Sequence, residues 1–157
     1  MTTLEIISKT NPHIVHSVEK LTNYQLEALV VETIKRLATT IDPLLQEDVL
    51  AISTTGRVKP DPVRQRRLQK LSEELDNEYF RLKEVGEEEG GWIAKFKAAR
   101  IAYALSEVSQ GVSLENIGDF IYEMAHAHDS PEKYLVEMEN LVDKIESGNA
   151  AHESEDQ

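Results

Sequence analysis

Helix start signals recur along this chain, and each is followed by apolar residues at helical spacing. Thr22 and Gln25 form a capping box, in which the side chain of each residue accepts a hydrogen bond from the backbone N–H of the other. An Asp or Ser followed by a Pro that suits the first helical turn occurs at residues 42–43, 61–62 and 130–131. No segment shows sustained apolar–polar alternation with hairpin dipeptides. The pattern predicts an all-α fold, a single-domain helical bundle of about five to six helices.

The same signals predict where the helices lie. We expect a break at Gly86 and a turn at Gly90 and Gly91, because consecutive glycines are costly inside a helix. Residues 4–7 suit either a short strand or an extra helical turn, and a helix starting after Asn11 is favoured next. The later helices are expected at about residues 23–41, 62–85, 92–108, 113–129 and 131–147, with a shorter turn or helix at about residues 43–52. Residues 92–108 are apolar on most sides and are predicted to form the central helix. Residues 1–148 are thus expected to form the bundle and residues 149–157 an acidic flexible tail.

Charge and cysteine content limit the function classes. Twenty-nine acidic and 17 basic residues give a net charge of −12, which repels nucleic acids and anionic membranes and favours neutral or basic protein partners. The chain has no cysteine, so it can form neither disulfides nor thiolate metal sites, as is typical of a reducing compartment. No stretch approaches 18 apolar residues, and the first residues do not resemble a secretory signal. We therefore expect a cytoplasmic protein.

The helix predicted at residues 113–129 has an acidic stripe opposite its apolar face. Glu123 and His126 form an E-x-x-H step, which puts a carboxylate and an imidazole on adjacent turns where one divalent metal could contact both. Only one such step occurs, so we favour a solvated or salt-bridged face without a metal. In the alternative interpretation the metal ligands are Glu115, Asp119, Glu123 and His126.

Two segments carry a family resemblance. Residues Leu114–Ile121, LENIGDFI, and Lys70–Glu78, KLSEELDNE, resemble the acidic helices of the MazG-like all-α nucleoside triphosphate pyrophosphohydrolases. The resemblance implies Mg²⁺ held by carboxylates. The glutamates are one residue out of step with the family's E-E-x-x-E pattern, and Asn116 stands where that family has a glutamate. The implied catalytic carboxylates are Glu73, Glu74, Glu78 and Asp119.

A basic patch interrupts this acidic chain. Cations in the first turns of a helix oppose its dipole, so these residues are expected to pair with acids of the same chain or of a second copy. The alternative is that they bind a phosphate or a carboxylate-rich partner. The patch consists of Arg57, Lys59, Arg64, Arg66, Arg67 and Lys70.

A stripe of leucines on the long helix at residues 62–85 suits a partner helix, and the opposite charge blocks of the chain suit complementary docking. Trp92 is either an interface anchor or a core residue, and the core is favoured. We predict a non-enzymatic protein–protein interaction module that self-associates and needs no cofactor; the alternative is the Mg²⁺-dependent pyrophosphohydrolase. The predicted interaction residues are Arg57, Lys59, Arg64, Arg66, Arg67, Leu68, Leu71, Leu75 and Trp92.

Overall fold

The structure, a computed structural model, describes residues 2–37, 41–86 and 89–155, with side chains for residues 2–37, 41–86 and 91–148. Within these ranges all regular structure is helical, which confirms the all-α prediction. The number of helices in the described residues is higher than five to six, because residues 3–8 and residues 46–55 also form helices. The helices are α1 Thr3–Ser8, α2 Pro12–Glu19, α3 Asn23–Lys35, α4 Gln46–Thr55, α5 Pro62–Glu84, α6 Glu89–Val108, α7 Leu114–His126 and α8 Pro131–Glu155, and a 3₁₀ turn, Pro43–Leu45, precedes α4.

The predicted caps are present. The Gln25 N–H donates to Thr22 Oγ1 at 3.1 Å, and the Thr22 N–H donates to Gln25 Oε1 at 2.9 Å. The Asp42 side chain accepts from the Leu44 N–H, and the Asp61 side chain accepts from the first turn of α5. These side chains satisfy backbone donors that have no acceptor within the helix.

Several predicted boundaries are wrong. Helix α7 ends at His126 rather than near residue 129. Helix α6 already begins at Glu89, so Gly90 and Gly91 lie in its first turn, where backbone donors have no helical acceptor and glycine is tolerated. Helix α3 ends at Lys35 rather than near residue 41, and residues 38–40 of the predicted helix lie outside the described residues. Helix α8 continues through Gly148 to Glu155, because one exposed glycine costs a helix only about 1 kcal/mol.

Helix α7, not α6, is central. Among the described residues, buried apolar side chains from each of the helices α1 to α8 form one cluster, and α7 packs against α1, α3, α6 and α8. Helix α6 packs mainly against α5 and α7. Helix α6 is thus enclosed between two helices, as its apolar circumference predicts, whereas α7, which buries Ile117, Phe120, Ile121 and Met124, contacts four.

Helices α5 and α6 form an antiparallel pair, the α5–α6 hairpin. Ala98, Ala99 and Ala102 of α6 are buried, and their small side chains let α5 approach closely. Ser72 Oγ of α5 donates to the Ala99 carbonyl of α6 at 3.3 Å. At the other end, the Asp61 N–H donates to the Ser109 carbonyl at 2.8 Å, which closes the base of the hairpin. In the part of the chain that is described, no helix is long and apolar enough to cross a bilayer.

Gly118 of α7 sets how closely α1 can approach. A Cβ atom at this position would lie 2.9 Å from Leu4 Cγ and 3.1 Å from the Leu4 backbone nitrogen. We expect G118A to lower the free energy of unfolding by about 1–2 kcal/mol, because the overlap with α1 outweighs the better helix propensity of alanine. Urea denaturation measures this loss.

G148A is the matched control, because a Cβ atom at Gly148 of α8 meets nothing within 4 Å. This substitution should raise the free energy of unfolding by about 0.5–1 kcal/mol, the ordinary gain from alanine in a helix. Equal effects of the two substitutions would contradict the close approach of α1 and α7.

Candidate functional site

The acidic stripe of α7 is largely covered by neighbouring helices. Glu115 is exposed, whereas the carboxylate of Asp119 is half-buried and accepts a hydrogen bond from Thr3 Oγ1 of α1. The Glu123 side chain is only 13% exposed and faces α6. The stripe therefore divides between two neighbours instead of forming one acidic surface.

Arg100 of α6 connects α5 to α7. Its Nη2 lies 2.6 Å from Asp76 Oδ2 of α5, and its Nη1 lies 3.1 Å from Glu123 Oε2 of α7. The Arg100 side chain is 21% exposed, so this three-residue group, the Arg100 cluster, is mostly shielded from water. Such an arginine can bridge two carboxylates because its donors are arranged in a planar fork. Sequence reasoning missed Asp76 and Arg100; the available signal was a single arginine between the apolar pairs Ala98–Ala99 and Ile101–Ala102.

Two carboxyl groups, Glu123 of this cluster and Glu107 of α6, bind protons more tightly than usual. Burial raises the pKa of Glu123 even though Arg100 and His126 act in the opposite direction. Burial also raises the pKa of Glu107 on α6, the charge of Asp119 adds to the effect, and a hydrogen bond with Tyr103 opposes it. Both shifts are of the kind seen at functional sites and at buried ion pairs alike. Glu123 is ion-paired, so it is not free to act as a base.

The raised pKa of Glu107 predicts that E107Q stabilises the folded protein and that this effect depends on pH. Because the folded state has the higher pKa, stability falls as pH rises from the unfolded pKa of about 4 through the raised folded pKa. Glutamine avoids this loss, so E107Q should raise the free energy of unfolding at pH 7, and with it the melting temperature. The gain should be less than about 1 kcal/mol, because solvent screens the group. The difference should vanish below about pH 4, where the carboxyl is protonated in both states.

Thermal melts between pH 4 and pH 8 measure this effect, with E115Q as the control. Glu115 borders the same open cleft as Glu107 but is exposed in the first turn of α7, where a negative charge favours the helix, so E115Q should give no gain at pH 7. A gain from E107Q that is the same at pH 4 and pH 7 would contradict the explanation by burial.

His126 and His128 form hydrogen bonds to backbone carbonyls near the end of α7. The His126 Nδ1–H donates to the Tyr122 carbonyl at 2.9 Å, and the two rings lie 4.2 Å apart. The His128 Nδ1–H donates to the Met124 carbonyl at 2.7 Å, and its ring stacks on Tyr134. Both imidazoles thus add a side-chain hydrogen bond to carbonyls near the C-terminal end of α7.

The carboxylates implied by the pyrophosphohydrolase resemblance are not brought together. Glu73 and Glu74 are exposed on α5, and Glu78 forms an ion pair with Arg81 on the same helix at 2.6 Å. The acidic side chain of α5 that is turned inwards is instead Asp76, which contacts Arg100 of α6. Among the described residues, no group of three or more His, Asp or Glu side chains is placed to hold a metal ion. These positions do not fit a shared Mg²⁺ site.

Asn116, which replaces the family's glutamate, has a structural role. It is buried, its Oδ1 accepts from the Ser113 N–H at 3.0 Å, and its amide donates to the Glu107 and Gly111 carbonyls at 3.0 and 2.5 Å. This amide therefore holds the connection between α6 and α7 and completes the start of α7.

The basic patch forms ion pairs within the chain. Arg67 contacts Asp48 of α4 with both terminal nitrogens, at 2.5 and 2.9 Å, and Asp48 is buried. That carboxylate raises the pKa of Arg67 through its hydrogen bond. Arg57 Nε lies 3.1 Å from both carboxylate oxygens of Glu27 on α3. The remaining members contact other groups or solvent: Arg64 donates to Ser109 Oγ and the Lys59 carbonyl, Lys70 Nζ lies 4.0 Å from Glu74, and Lys59 and Arg66 are exposed.

The predicted leucine stripe serves the fold of its own chain. Leu68 and Leu75 are buried and Leu71 is partly buried, on the face of α5 that carries Ser72 and packs against α6. These leucines are not available to a second chain. Trp92 is half-buried, and its ring lies 5.7 Å from Tyr79 and 5.4 Å from Lys83 Nζ in an aromatic cluster within the hairpin.

The opposite side of α5 remains open to solvent. Phe80 is 58% exposed and Val63 is 68% exposed, although both are large apolar residues. Charged and polar side chains lie between them on the same side of the helix. We call this surface the exposed face of α5; it consists of Val63, Arg66, Lys70, Glu73, Asn77, Phe80 and Glu84, all of them exposed.

The fold and these surfaces define an all-α helical protein with a covered Arg100 cluster and an open helix face. No known family model, curated protein or solved structure matches the chain.

Proposed function

We propose that this protein is a helical protein–protein interaction module and that its partner is a second copy of itself. The observation that supports this proposal is the exposed face of α5, which runs along a 23-residue helix that packs against α6 on its other side. Aromatic residues and arginines are enriched at protein interfaces, and Phe80 and Arg66 both lie on this face.

Phe80 has the properties of an interface anchor. Its ring contacts that of Tyr79, with centroids 4.9 Å apart, and Tyr79 in turn contacts Trp92 and Phe96. A ring held by its neighbours loses little freedom on binding. Complete burial of such a side chain contributes about 1.5–3 kcal/mol.

The distribution of charge favours the α5–α6 hairpin as the region where two copies meet. Residues 57–100 contain 11 of the 17 basic residues and nine of the 29 acidic residues, so this segment has a net charge of +2. The rest of the chain carries −14, and copies approaching through it would repel each other. The hairpin offers the approach with the least repulsion.

Light scattering of the purified protein over a range of concentrations tests this proposal. We expect the wild type to reach twice the mass of one chain and F80D to raise the dissociation constant at least tenfold, because a buried charge replaces a buried ring. L50D is the control, since Leu50 of α4 is 64% exposed but lies away from this face. A wild type that stays monomeric at all concentrations would refute self-association.

We also infer a cytoplasmic location, because a chain without cysteine suits a reducing compartment. Cell fractionation checks this inference, and recovery in a membrane or secreted fraction would contradict it.

A further inference from the structure

Charge is segregated along the exposed face of α5. Its members recur every three or four residues, so they lie on one side of the helix. The half nearer the N-terminus carries Arg66 and Lys70, and the half nearer the C-terminus carries Glu73 and Glu84. An apolar residue lies near each end of this pattern. When two copies of this face run in opposite directions, the positive half of each lies opposite the negative half of the other.

We propose that two copies pair through this face with their α5 helices antiparallel, around a twofold axis. This inference rests on the self-association proposed above and adds the arrangement of the two chains. In an antiparallel pair, residues at equal distances on either side of the twofold axis lie opposite each other. A register that places Val63 of one copy opposite Phe80 of the other therefore also places Lys70 opposite Glu73, because both pairs are centred on the same point of α5. Twofold symmetry makes each contact twice.

The same register accounts for the other members of the face. Arg66 lies opposite Asn77, whose amide oxygen accepts hydrogen bonds from a guanidinium. The charged residues between Val63 and Phe80 are therefore each paired with an opposite charge or a polar group.

Parallel pairing is disfavoured by the same charges. It would place Arg66 opposite Arg66, Lys70 opposite Lys70 and Glu73 opposite Glu73. Like charges facing each other across an interface cost affinity and exclude wrong arrangements.

The apolar and charged contacts have different roles in this arrangement. Exposed ion pairs contribute only about 0–1 kcal/mol each, so Phe80 and Val63 supply most of the affinity and the charges set direction and register. The contact that Lys70 makes in the single chain is weak, because its Nζ lies 4.0 Å from Glu74 Oε1 and both side chains are exposed. Lys70 can therefore exchange this contact for one with the second copy at little cost.

A charge exchange between Lys70 and Glu73 tests the register. K70E and E73K each create two pairs of like charges across the twofold axis, and each should raise the dissociation constant about tenfold at low salt. The K70E/E73K double substitution restores opposite charges and should return the constant to within about twofold of the wild type. K144E controls for net charge, because Lys144 is exposed on α8 and its substitution changes the net charge as K70E does.

Cysteines introduced into this cysteine-free chain test the direction of the helices. Positions 66 and 77 are about 16 Å apart along one helix, too far for a disulfide within the chain. Under mild oxidation R66C/N77C should form a covalent dimer on non-reducing gels, whereas R66C alone should not. Cross-linking of R66C alone would indicate parallel helices and overturn the inference.

The outcomes separate this inference from the proposed function. A monomeric wild type refutes both. A wild-type dimer that the double charge exchange fails to restore, or in which R66C/N77C fails to cross-link, leaves self-association in place and overturns the antiparallel α5 interface.

Discussion

Replacing Arg100 with alanine should lower the free energy of unfolding by about 3 kcal/mol. The substitution leaves the carboxylates of Asp76 and Glu123 without their shared cation between α5, α6 and α7. Removing one partner of a buried ion pair costs about 3–5 kcal/mol, and partial exposure of Asp76 puts this case at the lower end. Urea denaturation at pH 7 measures the loss.

R81A is the matched control for this prediction. Arg81 makes a similar two-nitrogen contact with Glu78, but both side chains are more exposed, so its loss should cost less than about 1 kcal/mol. R100K keeps the charge but not the planar fork and should fall between the wild type and R100A. A loss from R100A no larger than that from R81A would show that the Arg100 cluster does not join the three helices.

Asn116→Asp should also cost about 3 kcal/mol. The substitution keeps the acceptor for the Ser113 N–H but places a second carboxylate oxygen against the carbonyls of Glu107 and Gly111, which now receive hydrogen bonds from the amide. Two donors are lost and a buried negative charge is gained, each a cost of about 1–3 kcal/mol.

The pH and a milder variant distinguish these two contributions. N116A removes the hydrogen bonds without adding a charge, so its loss should be smaller than that of N116D at pH 7. The deficit of N116D should shrink below about pH 4, where a neutral carboxylic acid can donate one hydrogen bond. A loss from N116A of less than about 0.5 kcal/mol would refute the structural role of Asn116.

The helix starts could be predicted from sequence because capping is a local interaction. Thr22 and Gln25 lie within one turn of each other, and so do the Asp61 carboxylate and the N–H that it caps. The C-terminal ends of helices were harder to predict. A single glycine such as Gly148 costs a helix little, so it ends the helix only where the following residues do not themselves favour helical structure.

The covered cluster could not be predicted, because sequence shows which residues share a helix face but not which helix covers that face. Glu123 was correctly placed on the polar side of α7, but its partner Arg100 belongs to another helix. Which acidic residue of α5 contacts Arg100 depends on how α5 is rotated about its own axis. Burial of Leu68, Ser72 and Leu75 turns Asp76 towards α6 and leaves Glu73 and Glu74 in solvent.

The closed base of the α5–α6 hairpin has a consequence for the order of folding. The hydrogen bond from Asp61 to Ser109 joins the start of α5 to the end of α6, and these helices are consecutive in the chain. Contacts between consecutive elements need only a short loop to close, so they form sooner than contacts between distant segments. The α5–α6 hairpin can therefore form first. Helix α7 then packs against α6, and the N-terminal helices that contact α7 pack last.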